Sequence, residues 1–128
     1  MTGPNWLDER RVLILHTRLL TRFGGLEGIR DHGLLDSALN RPLHLFHYGS
    51  PDLFDLAAAY AEGIFKNHPF LDGNKRTGFM SAYTFLGLNG LSLQAPEEEA
   101  VVMTVSLADG RLGAEGFARW LKDSCPVS

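Results

Sequence analysis

Apolar residues along this chain return at helical intervals almost from end to end. From Trp6 to about Phe23 they fall at 12, 13, 15, 19, 20 and 23, one face of a helix, and the run halts at Gly24 and Gly25. Beyond a glycine-rich turn, Leu34, Leu35, Ala38 and Leu39 repeat the spacing, and Pro42 predicts that this second helix is short. The stretch "RPLHLFHYGSP" holds two prolines, a glycine and several large side chains without a sustained period, which predicts a flap or loop. Asp52 is placed to cap a third helix whose residues 53–65 are apolar nearly all round, the mark of a central element. Pro69 should end it near Asn67, because the residue before a proline is pushed out of the α region.

A fourth helix is expected from about Asn74 to Leu88, closed by Asn89 and Gly90. The run "PEEEAVVMTVSLADG" predicts a fifth, with its acids in the first turn where the helix dipole favours them, and residues 114–123 a sixth. Strict alternation extends no further than "LSL". The expected fold is therefore all-α, a compact helical bundle with at most a short hairpin or flap.

At 128 residues the chain is expected to form one domain over 1–128, large enough to bury a core unaided. Its composition, 45% hydrophobic and 21% charged, is that of a globular protein. No apolar run approaches the ~20 residues of a membrane helix, and the N-terminus lacks a basic-then-apolar leader, so a cytoplasmic protein is expected. Cys125, the single cysteine, has no partner for an internal disulfide. His44 and His47 have helical zinc-ligand spacing, but no third ligand stands nearby. A net charge of −3 argues against a broad nucleic-acid or anionic-membrane surface, so any phosphate chemistry must be local.

The place for it is the segment "HPFLDGNKRTGF" between the third and fourth helices. A helix start carries about half a positive charge and unpaired N–H groups. Lys75 and Arg76 in that first turn oppose the dipole by roughly 0.3–1 kcal/mol each, a cost that a bound anion would reverse, and phosphate suits such an end. The plainer reading has both side chains snorkel to water or pair with surface acids. Gly73 supplies a permissive turn, and Asn74 can bond either the loop or a ligand. Asp72 is either a helix cap or, beside a polyphosphate, a Mg²⁺ ligand. His68 is either structural or a general base at the rim, while Phe70 should turn inward and pin the loop. The segment is not a Walker A loop, which needs two glycines bracketing four residues before its lysine.

His68, Phe70, Asp72, Gly73, Asn74, Lys75 and Arg76 together resemble the loop of the Fic/Doc family, and specifically its Doc toxin branch. "RFGGLEGIRDHGLLDSALNRP" before it and "LGLNG" after it extend the likeness over most of the chain. The resemblance implies that His68 takes the proton of a target hydroxyl, that Asp72 holds Mg²⁺, and that Gly73, Asn74, Lys75 and Arg76 bind ATP phosphates. Two departures separate the chain from Fic adenylyltransferases, which have Gly in place of Lys75 and a second Arg where Phe79 stands. In the Doc branch that pattern goes with γ-phosphoryl transfer. The resemblance thus implies a kinase acting on a threonine of elongation factor Tu, blocking translation, with a separate antitoxin as partner. The inhibitory motif that restrains Fic enzymes in cis does not occur in the sequence. Adenylyl transfer and a non-catalytic binding module stand as alternatives. The flap "RPLHLFHYG" is the expected docking place of a target strand.

Overall fold

The computed structural model describes residues 3–126. Six helices form among the described residues: α1 Glu9–Phe23, α2 His32–Tyr48, α3 Leu53–Asn67, α4 Asn74–Leu88, α5 Glu97–Ala108 and α6 Ala114–Asp123. Among the described residues no strand forms, and the sole ladder-type contact is an isolated antiparallel bridge between Ile29 and Phe70. The all-α bundle read from the hydrophobic pattern is the observed fold. None of the described helices is long and apolar enough to cross a membrane.

Helix α3 lies at the centre, packed against α2, α4, α5 and α6. Leu56, Ala57, Ala58, Tyr60, Ala61, Ile64 and Phe65 are all but inaccessible, so the nearly continuous apolar run has the central position it predicts. Its entry is fixed by a capping box. The Asp52 carboxylate accepts from the Asp55 N–H (2.8 Å) and Asp55 in turn accepts from the Asp52 N–H (3.0 Å). In the same core Tyr60 donates to the Leu7 carbonyl and accepts from the Leu7 N–H, both at 3.0 Å, and ties the N-terminal segment to α3. Cys125 is buried and unpaired.

Two boundaries differ from the sequence reading. Helix α1 starts at Glu9 and not at Trp6, because the Asp8 side chain caps it by accepting from the Arg11 N–H at 2.9 Å. The larger correction concerns residues 41–48, expected as a flap: α2 continues through Pro42 to Tyr48, so this segment offers no extended edge to a target strand. A proline inside a helix removes the N–H that would bond the carbonyl four residues back, here Ala38. That carbonyl lies against Gly63 of α3, so close that a Cβ on Gly63 would sit 2.9 Å from its oxygen. Packing of the Pro42 and Ala38 face onto α3, both residues being buried, outweighs the broken ladder.

Candidate active site

The loop 68–73 joins the end of the central helix to the start of α4. His68 closes α3 in a left-handed conformation (φ 49°, ψ 55°), its N–H donating to the Ile64 carbonyl at 3.1 Å. It is the one non-glycine residue with positive φ among those described. Such a conformation costs about 1–3 kcal/mol and is unusual before a proline. The sequence reading expects α3 to stop here but not in this geometry. What holds it is the upstream segment. Arg30 donates from Nε to the His68 carbonyl (2.7 Å), from Nη2 to the Asn67 carbonyl (2.8 Å), and from its backbone N–H to the Pro69 carbonyl (2.7 Å).

Phe70 turns inward as expected, only 1% exposed, and stacks on the ring of His16 at 3.8 Å between centroids. His16 itself is buried in α1, and its Nε2–H donates to the Asp72 carbonyl at 2.8 Å. The far side of the loop is thus pinned to α1. Gly25, with φ 127°, allows the upstream segment to approach Asp72, whose Oδ2 would lie 2.9 Å from a Cβ at that position.

Asp72 does not act as the cap of α4. Its Oδ1 accepts from the next residue's N–H, Gly73, at 2.9 Å, and its Oδ2 from the Leu26 N–H at 3.3 Å. The cap is Gly73, in the left-handed region (φ 76°) and with no side chain to offer the first-turn N–H groups. Asn74 is buried and folded back over the loop: its Oδ1 accepts from the Phe70 N–H and its Nδ2 donates to the Phe70 carbonyl, both at 3.0 Å. Those two bonds fix which way the amide faces, since a flip would oppose donor to donor and acceptor to acceptor. The second Nδ2 hydrogen therefore meets Nδ1 of His68, at 3.2 Å, and a neutral His68 carries its own proton on Nε2.

Among the described residues neither Lys75 nor Arg76 is in an ion pair, so pairing with surface acids does not account for them. Arg76 instead lies over the ring of Phe23 from α1, 4.2 Å from its centroid, a cation–π contact. His68, Asp72, Gly73, Asn74, Lys75 and Arg76 all line one cavity of about 630 Å³, which continues between α1, α4 and α5 along Phe23, Phe79, Met80 and Val101. All six candidate residues are thus brought together in one groove, whose remaining lining is mostly apolar but includes Glu97 and Thr104 of α5.

His44 and His47, on exposed turns of α2, are away from it. The group of potential metal ligands that does converge among the described residues, Glu9, His32 and Asp36, bridges α1 and α2 at the surface through contacts of the His32 ring with the two carboxylates and does not include Asp72. Three contributors lie outside the sequence reading: His16, Phe23 and Arg30. For His16 a signal exists, a polar residue at the i+4 step between buried Val12 and Leu20 on the apolar stripe of α1. Arg30 and Phe23 act through contacts 37 to 53 positions away in sequence and leave no local trace.

A family model described as the Fic/DOC family matches residues 6–86, the span that holds α1 through the loop to most of α4. Among curated proteins, the chain is 47% identical over 93 residues to "Toxin Doc" of Mycolicibacterium smegmatis, covering 70% of this chain and 68% of that protein. It is 31% identical over 117 residues to "Protein kinase doc" of Escherichia phage P1, covering 91% of this chain and 92% of that one.

Proposed function

From a chain that belongs to the Fic/DOC family, on its Doc side, we infer a toxin of a toxin–antitoxin pair that transfers the γ-phosphoryl group of Mg·ATP to a protein hydroxyl. The target we propose is a threonine of elongation factor Tu, in the cytoplasm, with arrest of translation as the result and a separate antitoxin protein as the restraint. The observation that carries the reading is the start of α4: two cations without ion-pair partners among the described residues, beside a side-chain-free cap, with a histidine held at the rim of the same groove.

In the reaction, the target hydroxyl oxygen bonds to the γ-phosphorus, the bond from that phosphorus to the bridging oxygen breaks, ADP leaves, and the hydroxyl proton passes to His68. Lys75, Arg76, Gly73 and Asn74 hold the phosphates, through side chains and the free N–H groups of the first turn. Arg76 reaches the groove already aligned by its stack on Phe23. The donor set fits Mg²⁺. Asp72 is exposed, and each of its oxygens accepts one backbone N–H, which leaves lone pairs for a cation that takes one or two protein carboxylates and phosphate oxygens besides. Bound there, the ion would offset charge on the transferred group.

His68 becomes a base only when Asn74 lets go of Nδ1. The lone pair at Nδ1 is taken by the Asn74 amide, and Nε2 carries the proton, so neither ring nitrogen can accept from a hydroxyl in this arrangement. Release of Asn74 frees Nδ1 directly, or frees Nε2 once the proton has moved across the ring. The phosphate-binding role of Asn74 and the activation of His68 are then two sides of one rearrangement.

Lys75 and Phe79 favour γ-transfer over transfer of AMP: the lysine fills space that glycine leaves open, and the second arginine clamp is replaced by a phenyl ring lining the apolar side of the groove. The test is incubation of the protein with a cell lysate and Mg·ATP labelled separately at the α and γ positions. Label retained from γ alone is expected, and it should vanish on chelation of the metal. Retained α label means adenylyl transfer, and no label from either position means a binding module. His68→Ala should lower transfer by ~10²–10⁴-fold. Wild-type toxicity in that variant would refute the catalytic reading.

A further inference from the structure

Arg30 is an exposed residue in the connection between α1 and α2, yet it binds three consecutive carbonyls of another part of the chain. Its guanidinium takes those of Asn67 and His68, and its backbone N–H takes that of Pro69. These are the last residue of α3, the left-handed His68, and the proline after it. Carbonyls at a helix C-terminus lack intrahelical donors, and a cation there is favoured by the dipole, so the contact stabilises the end of α3. Its position does more than that. The bond from Nε to the His68 carbonyl fixes the peptide plane that follows the one positive-φ non-glycine residue, and so fixes the direction in which the imidazole leaves the backbone.

We infer that Arg30 is a positioning residue for phosphoryl transfer: its side chain locks His68 in the left-handed conformation that presents the ring to Asn74 and to the groove. The inference rests on the reading of His68 as the base. Because the Arg30 side chain is at the surface, its removal opens no cavity, and the backbone bond from residue 30 to Pro69 is available to alanine and lysine alike. Only the orientation of residues 67 and 68 is released. A base displaced by about 1 Å can lose ~10²-fold in rate while substrate binding, which depends on α4 and Asp72, stays intact.

The experiment compares Arg30→Ala and Arg30→Lys with Arg41→Ala. Arg41 pairs with Glu62 at 2.9 Å across α2 and α3, away from the loop, and so controls for loss of a surface guanidinium. Label transfer from γ-labelled Mg·ATP into its lysate target is measured across ATP concentrations, with amide hydrogen exchange as a second readout that needs no turnover. Arg30→Ala should lower kcat by ~10–100-fold with KM for ATP within about twofold. Its His68 amide should exchange at least about tenfold faster. Arg30→Lys, with a point charge and no fork, should lie between it and wild type. Arg41→Ala should transfer at the wild-type rate. If Arg30→Ala keeps wild-type kcat, if its loss lies in KM alone, if the His68 amide exchanges as before, or if Arg41→Ala loses as much, the inference is wrong. Should Arg30→Ala fail to fold, Arg30→Lys carries the same comparisons. His68→Ala run in parallel tests the underlying reading separately: transfer surviving there removes His68 as the base, whereas survival in Arg30→Ala alone removes only Arg30.

Discussion

Gly78 and Gly87 lie in the same helix, and the same substitution should have opposite effects at the two. Alanine exceeds glycine in helix propensity by about 0.5–1 kcal/mol, so on propensity alone both Gly78→Ala and Gly87→Ala stabilise α4. At Gly87 nothing lies within 4 Å of a new Cβ, and the gain stands, somewhat reduced by its closeness to the helix end. At Gly78 the new Cβ would overlap Cε1 of Phe65 and lie 2.6 Å from its Cδ1 and 3.2 Å from the Ala61 carbonyl oxygen. The ring would have to retreat by about 1 Å to restore ordinary contact, but it is only 3% exposed, and Phe117 stands edge-on to it at 6.5 Å. Overpacking of this kind costs about 1–3 kcal/mol, more than the propensity gain, so a net loss of about 1–2 kcal/mol is expected, or roughly 3–10 °C in Tm. The strain falls between α3 and α4, whose adjoining ends carry His68 and Lys75, so transfer activity should fall as well. Thermal unfolding of both variants beside wild type, with γ-label transfer, makes the comparison. If Gly78→Ala proves as stable as Gly87→Ala, α3 and α4 do not pack as closely as described and the reasoning fails.

Tyr60 has its phenol pushed up to about 12 from 10, chiefly by burial, with the Leu7 hydrogen bond pulling the other way and the nearby Asp8 charge adding a little. The folded state therefore holds this proton more tightly than the unfolded one. Its contribution of roughly 2–3 kcal/mol is complete below pH 10 and disappears as pH rises from 10 to about 12. Tyr60→Phe orphans the buried N–H and carbonyl of Leu7, about 1–3 kcal/mol each at neutral pH, and denaturant midpoints should show its deficit narrowing above pH 10; parallel curves would contradict the assignment. Phe23 is half exposed and its ring supports Arg76, so Phe23→Leu should leave Tm almost unchanged but raise KM for ATP by ~2–5-fold, the equivalent of about 0.5–1 kcal/mol. An unaltered KM would mean that the stack does not align Arg76 for the ligand.

The legible parts of this molecule are those governed by local rules. Helical spacing, the apolar run of α3 and the signals at helix ends together located the six helices, and the Asp52 cap, the stop before Pro69 and the start at Asn74 followed from residue chemistry at the ends. Pro42 misleads because the rule that a proline ends a helix concerns the ladder alone, while here a glycine in another helix, Gly63, lets the affected turn pack tightly on α3. In the loop, spacing brought the six candidate residues to one groove, and Phe70 turned inward as its apolar ring requires. What spacing could not carry is how the loop is held. The fork of Arg30 on residues 67 and 68, the His16 ring beneath Phe70, and the folded-back amide of Asn74 depend on three segments meeting in space.

How the six helices begin sets α4 apart. Asp8, Asp31 and Asp52 cap α1, α2 and α3 with side chains that accept from first-turn N–H groups. Helices α5 and α6 have no capping side chain, but Glu97, Glu98 and Glu99 in one and Glu115 in the other bring negative charge to the first turn. Five helix starts thus carry a capping carboxylate or a first-turn acid, and in α1 Asp8 and Glu9 offset Arg10 and Arg11 of the same turn. Helix α4 has neither device: Gly73 caps it without a side chain, its first turn has no acid, and Lys75 and Arg76 stand there. Asp72, one residue ahead, spends its oxygens on the N–H groups of Gly73 and Leu26 and not on those of the turn. At the other end of the same loop His68 holds a backbone conformation that costs free energy before a proline. A helix start with neither cap nor acid and a strained residue, within nine positions of each other, argue for a common cause. A polyanion bound at α4 would supply the missing charge, accept from the free N–H groups and draw Asn74 from the imidazole, so that the arrangement least suited to the empty protein becomes the one suited to the nucleotide.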